Sequence, residues 1–165
     1  MILDLKKIFL DENESLSVQT KIDLSDIQRN GVVSFPDPVD VNIVVKNRAG
    51  VVVFEANTAF DYRFSCDRCA VLSNRKIAYK FCHILVTGLS DENGDDYIEA
   101  PDYKLDTDAL LRDDILLELP SKFLCKESCK GLCPKCGKNL NEGNCNCNMH
   151  EADPRLAVLK QLLSE

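Results

Sequence analysis

A chain of 165 residues, 45% of them apolar, is long enough for one domain with a real core, and without Trp that core must come mainly from Val, Ile and Leu. The formal net charge of −7 opposes non-specific binding to nucleic acid and suits a basic partner. No apolar run reaches membrane-spanning length, and the opening MILDLKKIFLDENESL lacks both a long apolar h-region and a small-residue cleavage site, so the expectation is a reduced, cytoplasmic protein without membrane contact.

Residues 1–9 read as a first strand or edge segment. Leu16, Val18, Thr20 and Ile22 alternate with Ser17, Gln19 and Lys21, the pattern of a half-buried strand. A single helical turn is expected over Leu24–Arg29, stopped at Asn30-Gly31. Phe35-Pro36-Asp37-Pro38 resists both helix and central strand, so it is read as a loop or an edge. Val39, Val41, Ile43 and Val45 then define one face of a strand. Asn47-Arg48-Ala49-Gly50 is a turn, and Val51–Phe64 is its β-rich partner, making a hairpin. Asn74–Thr87 reads as a further strand with Ile77, Tyr79, Phe81 and Leu85 on one face and Ala78, Cys82, Ile84 and Val86 on the other. Because both faces are apolar it is expected to be central, with Cys82 buried and His83 on the outer face.

Residues 88–96 form a polar acidic loop. Asp91, Asn93 and Asp95 have the spacing that opens a calcium loop, but the glycine is misplaced and no terminal Glu follows, so a solvated turn is the reading. Tyr97–Glu99 and Tyr103–Leu105 are short strands around Pro101. Asp106–Leu119 is the clearest helix, with Asp106 or Thr107 as cap and Asp108 in the first turn. Leu111, Ile115 and Leu119 mark its apolar face, widened by Leu110 and Leu117, and Pro120 stops it. A last helix opens at Asp153-Pro154, with Leu156, Leu159 and Leu163 on one side. The fold class is therefore α+β: an antiparallel sheet or partly open barrel with a few helices and a cysteine-rich C-terminal segment. The expected organisation is one domain, mainly β over 1–105, helical over 106–120, metal-binding over 121–150 and helical again over 153–165.

Eight of the nine cysteines fall in close pairs: Cys66/Cys69, Cys125/Cys129, Cys133/Cys136 and Cys145/Cys147. Four pairs fill two tetrahedral thiolate sites, the coordination that structural zinc takes. Cys133-Pro-Lys-Cys136-Gly137 is a zinc knuckle, its glycine free to adopt the backbone that closes the turn. Cys145-Asn-Cys147 follows across a gap rich in Gly and Asn, so one site is assigned to Cys133, Cys136, Cys145 and Cys147. Cys66, Cys69, Cys125 and Cys129 form the second, stapling two distant segments; a swap of Cys125/Cys129 onto Cys145/Cys147 remains open. A disulfide framework fits poorly with an odd cysteine count and no export signal, and a thioredoxin-like centre at Cys66–Cys69 leaves the other pairs unexplained. Iron–sulfur ligation is allowed by the donor set, although the knuckle favours zinc. His150 is close enough in sequence to replace a thiolate, but is read as a solvent-facing loop residue.

Charge is unevenly spread. Lys122, Lys126, Lys130, Lys135 and Lys138 crowd the cysteine segment, while Asp91, Glu92, Asp95, Asp96, Glu99 and Asp102 make an acidic stretch. The lysines offset thiolate charge at zinc, or they line a face that touches RNA.

The CDRC at 66–69, the helix ending in Leu119-Pro120, the run CKESCKGLCPKCGKNLNEGNCNC and the final DPRLAVLKQL together resemble the YceD family, the large ribosomal RNA subunit accumulation proteins. The resemblance covers essentially the whole chain, and all eight paired cysteines fall on the family's positions while Cys82 lies outside them. It implies a non-enzymatic, bacterial or plastid factor in large-subunit biogenesis that supports accumulation of 23S rRNA. The expected partners are a ribosomal protein, a large-subunit rRNA precursor or both, with no small-molecule substrate. A redox-regulated zinc chaperone, which also combines C-x-C with C-x-x-C, is the alternative. An enzyme is disfavoured: no paired carboxylates, phosphate-cradling glycine loop or nucleophile with a base is found, and both sites are closed by four thiolates.

Overall fold

The computed structural model describes residues 1–27, 33–88 and 97–147. The expected C-terminal helix, His150, most of the acidic loop and the end of the turn after Leu24 lie outside these residues. Among the described residues, the strands are β1 (Ile2–Asp4), β2 (Ser15–Ile22), β3 (Val33–Ser34), β4 (Val39–Arg48), β5 (Val51–Ser65), β6 (Leu72–Val86), β7 (Tyr97–Glu99) and β8 (Lys104–Asp106). The helices are α1 (Lys6–Leu10) and α2 (Thr107–Glu118). β1 and β8 form a small antiparallel pair, and the main sheet runs β2-β4-β5-β6-β7 with β3 beside the far end of β5. Its pairings are antiparallel except β6–β7, and the sheet curls into a half-barrel.

Period-two alternation decides which face of this sheet is dry. Val39, Val41, Ile43 and Val45 of β4 are buried, as are Val52, Phe54, Ala56, Phe60, Tyr62 and Phe64 of β5. Burying one such side chain contributes about 1.5–3 kcal/mol, so a one-residue slip of β4, which turns all four outward, is strongly disfavoured. The buried Asn47 is not simply a turn residue. Its amide donates to the Ile8 carbonyl of α1 (2.8 Å) and accepts from the Gly50 N–H (3.1 Å), tying α1 to the β4–β5 turn. The N-terminal segment thus adds a short helix to the expected strand.

β6 differs from its sequence reading. It has β5 along one side, but β7 flanks only Ile84–Val86 on the other. Its row Leu72, Asn74, Lys76, Ala78, Lys80, Cys82 and Ile84 faces outward and is exposed. A half-barrel has one dry face, and the two lysines in this row could not have been buried without partners. Cys82 is consequently exposed, and His83, expected outside, lies on the inner row with Phe81 and Leu85.

That inner row positions α2. Asp106 caps the helix, accepting from the N–H groups of Asp108 (3.1 Å) and Ala109 (3.4 Å). Leu111, Ile115 and the following Leu119 are buried, whereas Leu117 is 83% exposed. At about 100° per residue, Leu117 stands roughly 200° around from Ile115, and Leu116 packs on the core instead. Three inner-row residues of β6, spaced four apart, hold the helix and the segment after it. His83 pairs with Asp114 (2.8 Å), the Tyr79 hydroxyl donates to the Glu118 carbonyl (2.8 Å), and Arg75 donates to the Leu124 carbonyl (2.9 Å). Sequence number rises along α2 as it falls along β6. The chain is therefore led back to the start of β6, where the β5–β6 hairpin turns through Cys66–Val71.

Candidate metal centres

Cys66 and Cys69 sit in the tip of the β5–β6 hairpin. The turn closes through Ala70 N–H to the Cys66 carbonyl (2.8 Å) and Cys66 N–H to the Val71 carbonyl (3.0 Å). The segment after α2 docks on this tip. Asp67 N–H donates to the Phe123 carbonyl (2.8 Å), and Phe123 N–H donates to the Asp67 carboxylate (2.7 Å). Phe123 itself packs on Tyr62 and Phe64, with ring centroids 6.0 and 5.7 Å away. Cys125 and Cys129 are thereby delivered to Cys66 and Cys69, and the four sulfurs lie within 4.8 Å of one another. Cys66 Sγ is 3.8 Å from Cys129 Sγ, and Cys69 Sγ is 3.6 Å from Cys125 Sγ. A metal held by four thiolates at about 2.3 Å sits in a tetrahedron with edges of about 3.8 Å, whereas a disulfide requires about 2.05 Å. The spacing fits a tetrathiolate ion. This is the inner cluster.

The outer cluster is Cys133, Cys136, Cys145 and Cys147, whose sulfurs also lie within 4.8 Å of one another. Its knuckle repeats the hairpin tip: Gly137 N–H donates to the Cys133 carbonyl at 2.8 Å. Gly137 has φ +71° and Ala70, its counterpart, has φ +56°, so the same left-handed turn is made with and without a Cβ. Leu132 pairs with Asn139 as a one-rung ladder, and Cys133 N–H reaches the Lys138 carbonyl (2.8 Å). The inner cluster is mostly buried; in the outer one only Cys133 is, and Cys136 is exposed.

Of the two pairings open in the sequence, the structure adopts the local one. Each group can hold a metal ion, and four sulfurs leave no open position for water or substrate. Each cluster holds thiols drawn toward thiolate beside thiols held protonated; in the outer one the Cys136 thiol and burial push Cys147 up to about 12. Burial opposes ionisation of Cys66, yet the N–H groups of Cys125, Arg68 and Cys69 draw it down to about 6. The N–H groups of Cys136 and Lys135 and the Cys145 thiol draw Cys133 down to about 6. Burial, with neighbouring thiols competing for protons, pushes Cys125 up to about 12. A cation at the centre would replace those shared protons.

Some residues that build these centres carry no sequence signal beyond turn propensity. Arg68 donates to the Cys129 carbonyl (2.9 Å) and its own carbonyl accepts from Leu132 N–H (3.0 Å). Gly131, at φ +76°, lies where a Cβ would stand 3.0 Å from that Arg68 carbonyl oxygen, so the clamp needs glycine for space as well as backbone. Burial opposes ionisation of Cys129, but the Asn141 amide, 3.3 Å from its sulfur, and the Gly131 N–H lower its pKa. Lys122, Lys126, Lys130, Lys135 and Lys138 are all exposed on this segment, and Lys138 donates to the Asn144 carbonyl (2.9 Å).

The family model described as large ribosomal RNA subunit accumulation protein YceD matches residues 54–163, a span that contains both clusters. The chloroplastic large ribosomal RNA subunit accumulation protein YCED homolog 1 of Arabidopsis thaliana is 37% identical over 163 residues, covering 79% of this chain and 51% of that protein. Its Zea mays counterpart is 37% identical over 79 residues, covering 44% of this chain and 27% of that protein. A Bacillus subtilis protein, YlbN, named as uncharacterized, is 26% identical over 157 residues, covering 94% of this chain and 87% of its own length. This chain thus spans about half the length of the Arabidopsis relative. No solved structure matches.

Proposed function

The chain belongs to the YceD family of large ribosomal RNA subunit accumulation proteins, and from that premise we propose that it is a non-catalytic ribosome biogenesis factor supporting accumulation of 23S rRNA. The observation that carries this reading is the family match over residues 54–163. The eight cysteines of the two clusters bind two zinc ions, which hold the cysteine segment as a rigid platform on the half-barrel of a single domain. The acidic body accepts a basic ribosomal protein, and the lysines at 122, 126, 130, 135 and 138 contact the phosphates of a large-subunit rRNA precursor. No helix among the described residues is long and apolar enough to cross a membrane; the cytoplasm is the compartment proposed for its action.

Depletion of the protein should lower large-subunit rRNA while leaving small-subunit rRNA largely intact; an equal fall of both would remove the basis of the reading. A tagged copy should co-purify a basic ribosomal protein or large-subunit rRNA. The exposed Cys136 beside the half-buried Cys145 and Cys147 supports a second reading, a redox-regulated zinc chaperone. Loss of zinc with disulfide formation under mild peroxide would favour that reading, and zinc retention would count against it.

A further inference from the structure

We propose that Asn141 couples the two metal centres, so that loading of the outer cluster tightens metal binding at the inner one. The coupling presupposes that both clusters hold metal, as proposed for the function, and concerns how the two sites communicate.

Asn141 belongs to the loop between Cys136 and Cys145, which the outer cluster anchors at both ends. Its side chain does not serve that cluster. Its Nδ2 donates to Cys129 Sγ of the inner cluster at 3.3 Å and to Asn139 Oδ1 at 2.8 Å, while its Oδ1 accepts from Lys130 N–H at 2.9 Å. The orientation of the amide is dictated by this network: an N–H donor faces one end, so the oxygen must lie there, and the NH2 group must face the sulfur. The loop is fastened to the strip between the clusters by Leu140 N–H to the Gly131 carbonyl (2.9 Å), and that strip to the hairpin tip by Leu132 N–H to the Arg68 carbonyl (3.0 Å). Asn139 braces the loop from within, donating to Glu142 (2.8 Å) and accepting from Asn141 N–H (3.1 Å).

An amide donor aimed at a ligating sulfur stabilises the thiolate against protonation and lowers its negative charge at the metal, and such outer partners typically change metal affinity by about 10–100-fold. Without a metal, the outer cysteines no longer pin the two ends of the loop, and the donor is no longer held against Cys129. The inner cluster reaches full affinity only when the outer one is filled. Asn141 is thus a positioning residue for the inner metal rather than a ligand.

The test uses the full chain titrated with cobalt(II), followed by sulfur-to-cobalt absorption, and with zinc against a chromophoric chelator. Asn141→Ala should weaken one of the two sites by about 10–100-fold and leave the other within about threefold. Cys145→Ser with Cys147→Ser, which removes the outer site, should weaken the inner site to a similar degree, and adding Asn141→Ala should then cost little more. Asn141→Asp keeps the acceptor for Lys130 but places an anionic oxygen at Cys129. It should be worse than Ala and shift the inner cobalt–sulfur band, whereas a residue that only braced the turn would be partly rescued by Asp. Two ions bound with unaltered affinities in Asn141→Ala, or full additivity with the outer-site variant, would overturn the coupling alone. A wild-type chain that takes up neither cobalt nor zinc would overturn the metal reading, and the coupling with it.

Discussion

The two cysteine clusters begin with one and the same turn and differ in how the rest of each is assembled. In each, a C-x-x-C knuckle is closed by a 2.8 Å hydrogen bond from the next residue to the first cysteine's carbonyl. At the hairpin tip that knuckle is grafted onto the two longest strands, and its partners arrive from 56 and 63 residues away. In the outer cluster all four cysteines come from positions 133–147 and lean on little of the core. Identical local chemistry therefore does two different thermodynamic jobs. A metal in the inner cluster crosslinks the half-barrel to the segment after α2, while a metal in the outer cluster orders a short peptide.

The largest expected effect comes from that difference. Cys125→Ser should lower the metal content by one ion and destabilise the whole domain by about 4 kcal/mol, the chain-entropy value for a crosslink closing a loop of the 56 residues between Cys69 and Cys125. Cys136→Ser should also remove one ion but cost the half-barrel less, about 1.4–2.7 kcal/mol from the roughly 10–100-fold weaker inner site, with proteolysis opening the chain near residues 133–147. Elemental analysis together with chemical denaturation of both variants checks this. Equal losses of global stability would erase the distinction between the two clusters.

Cys82 sharpens the comparison from outside. In the metal-loaded protein a thiol reagent should modify Cys82 alone among the described cysteines, since it is exposed and belongs to neither cluster. Cys82→Ser should change stability by no more than about 0.5 kcal/mol, as expected for an exposed side chain. Peptide mapping after alkylation measures the first and thermal unfolding the second. Rapid labelling of Cys136 at full metal loading would mean that the outer cluster does not hold its ion.

Much of this is legible in the residues themselves. The alternation of Val39, Val41, Ile43 and Val45, the cap at Asp106 and the two C-x-x-C knuckles are all set by interactions within a few residues, and the structure places them where short-range rules do. The failures share a cause as well. Apolar residues on both sides of β6 suggest two dry faces, and that suggestion buries Cys82, which is exposed, while His83, read as outward-facing, lies on the inner row. Only the tertiary arrangement decides that a half-barrel has one, and only α2 brings Asp114 to His83. Likewise, the sequence marks Asn141 only as a turn former and does not mark Arg68 at all. Their roles depend on Cys129, which lies 61 residues from Arg68 and across the outer loop from Asn141.

The smallest effect isolates the turn that the clusters share. Gly137 at φ +71° has nothing within 4 Å of where a Cβ would stand, so Gly137→Ala tests backbone strain without a steric clash. It should cost about 1 kcal/mol, corresponding to a loss of about fivefold in outer-site metal affinity, because a left-handed residue with a Cβ is disfavoured by about that amount. Ala70 already carries the strain at φ +56°. Ala70→Gly relieves it but adds freedom to the unfolded chain, so the net gain should be only about 0.5 kcal/mol, read in global unfolding because the inner cluster is tied to the whole domain. The two changes are mirror images of one backbone effect reported by two different observables. If Gly137→Ala lowered global stability as much as local metal affinity, the outer cluster would have to be as firmly joined to the core as the inner one, and the contrast between a staple and an ordered peptide would fail.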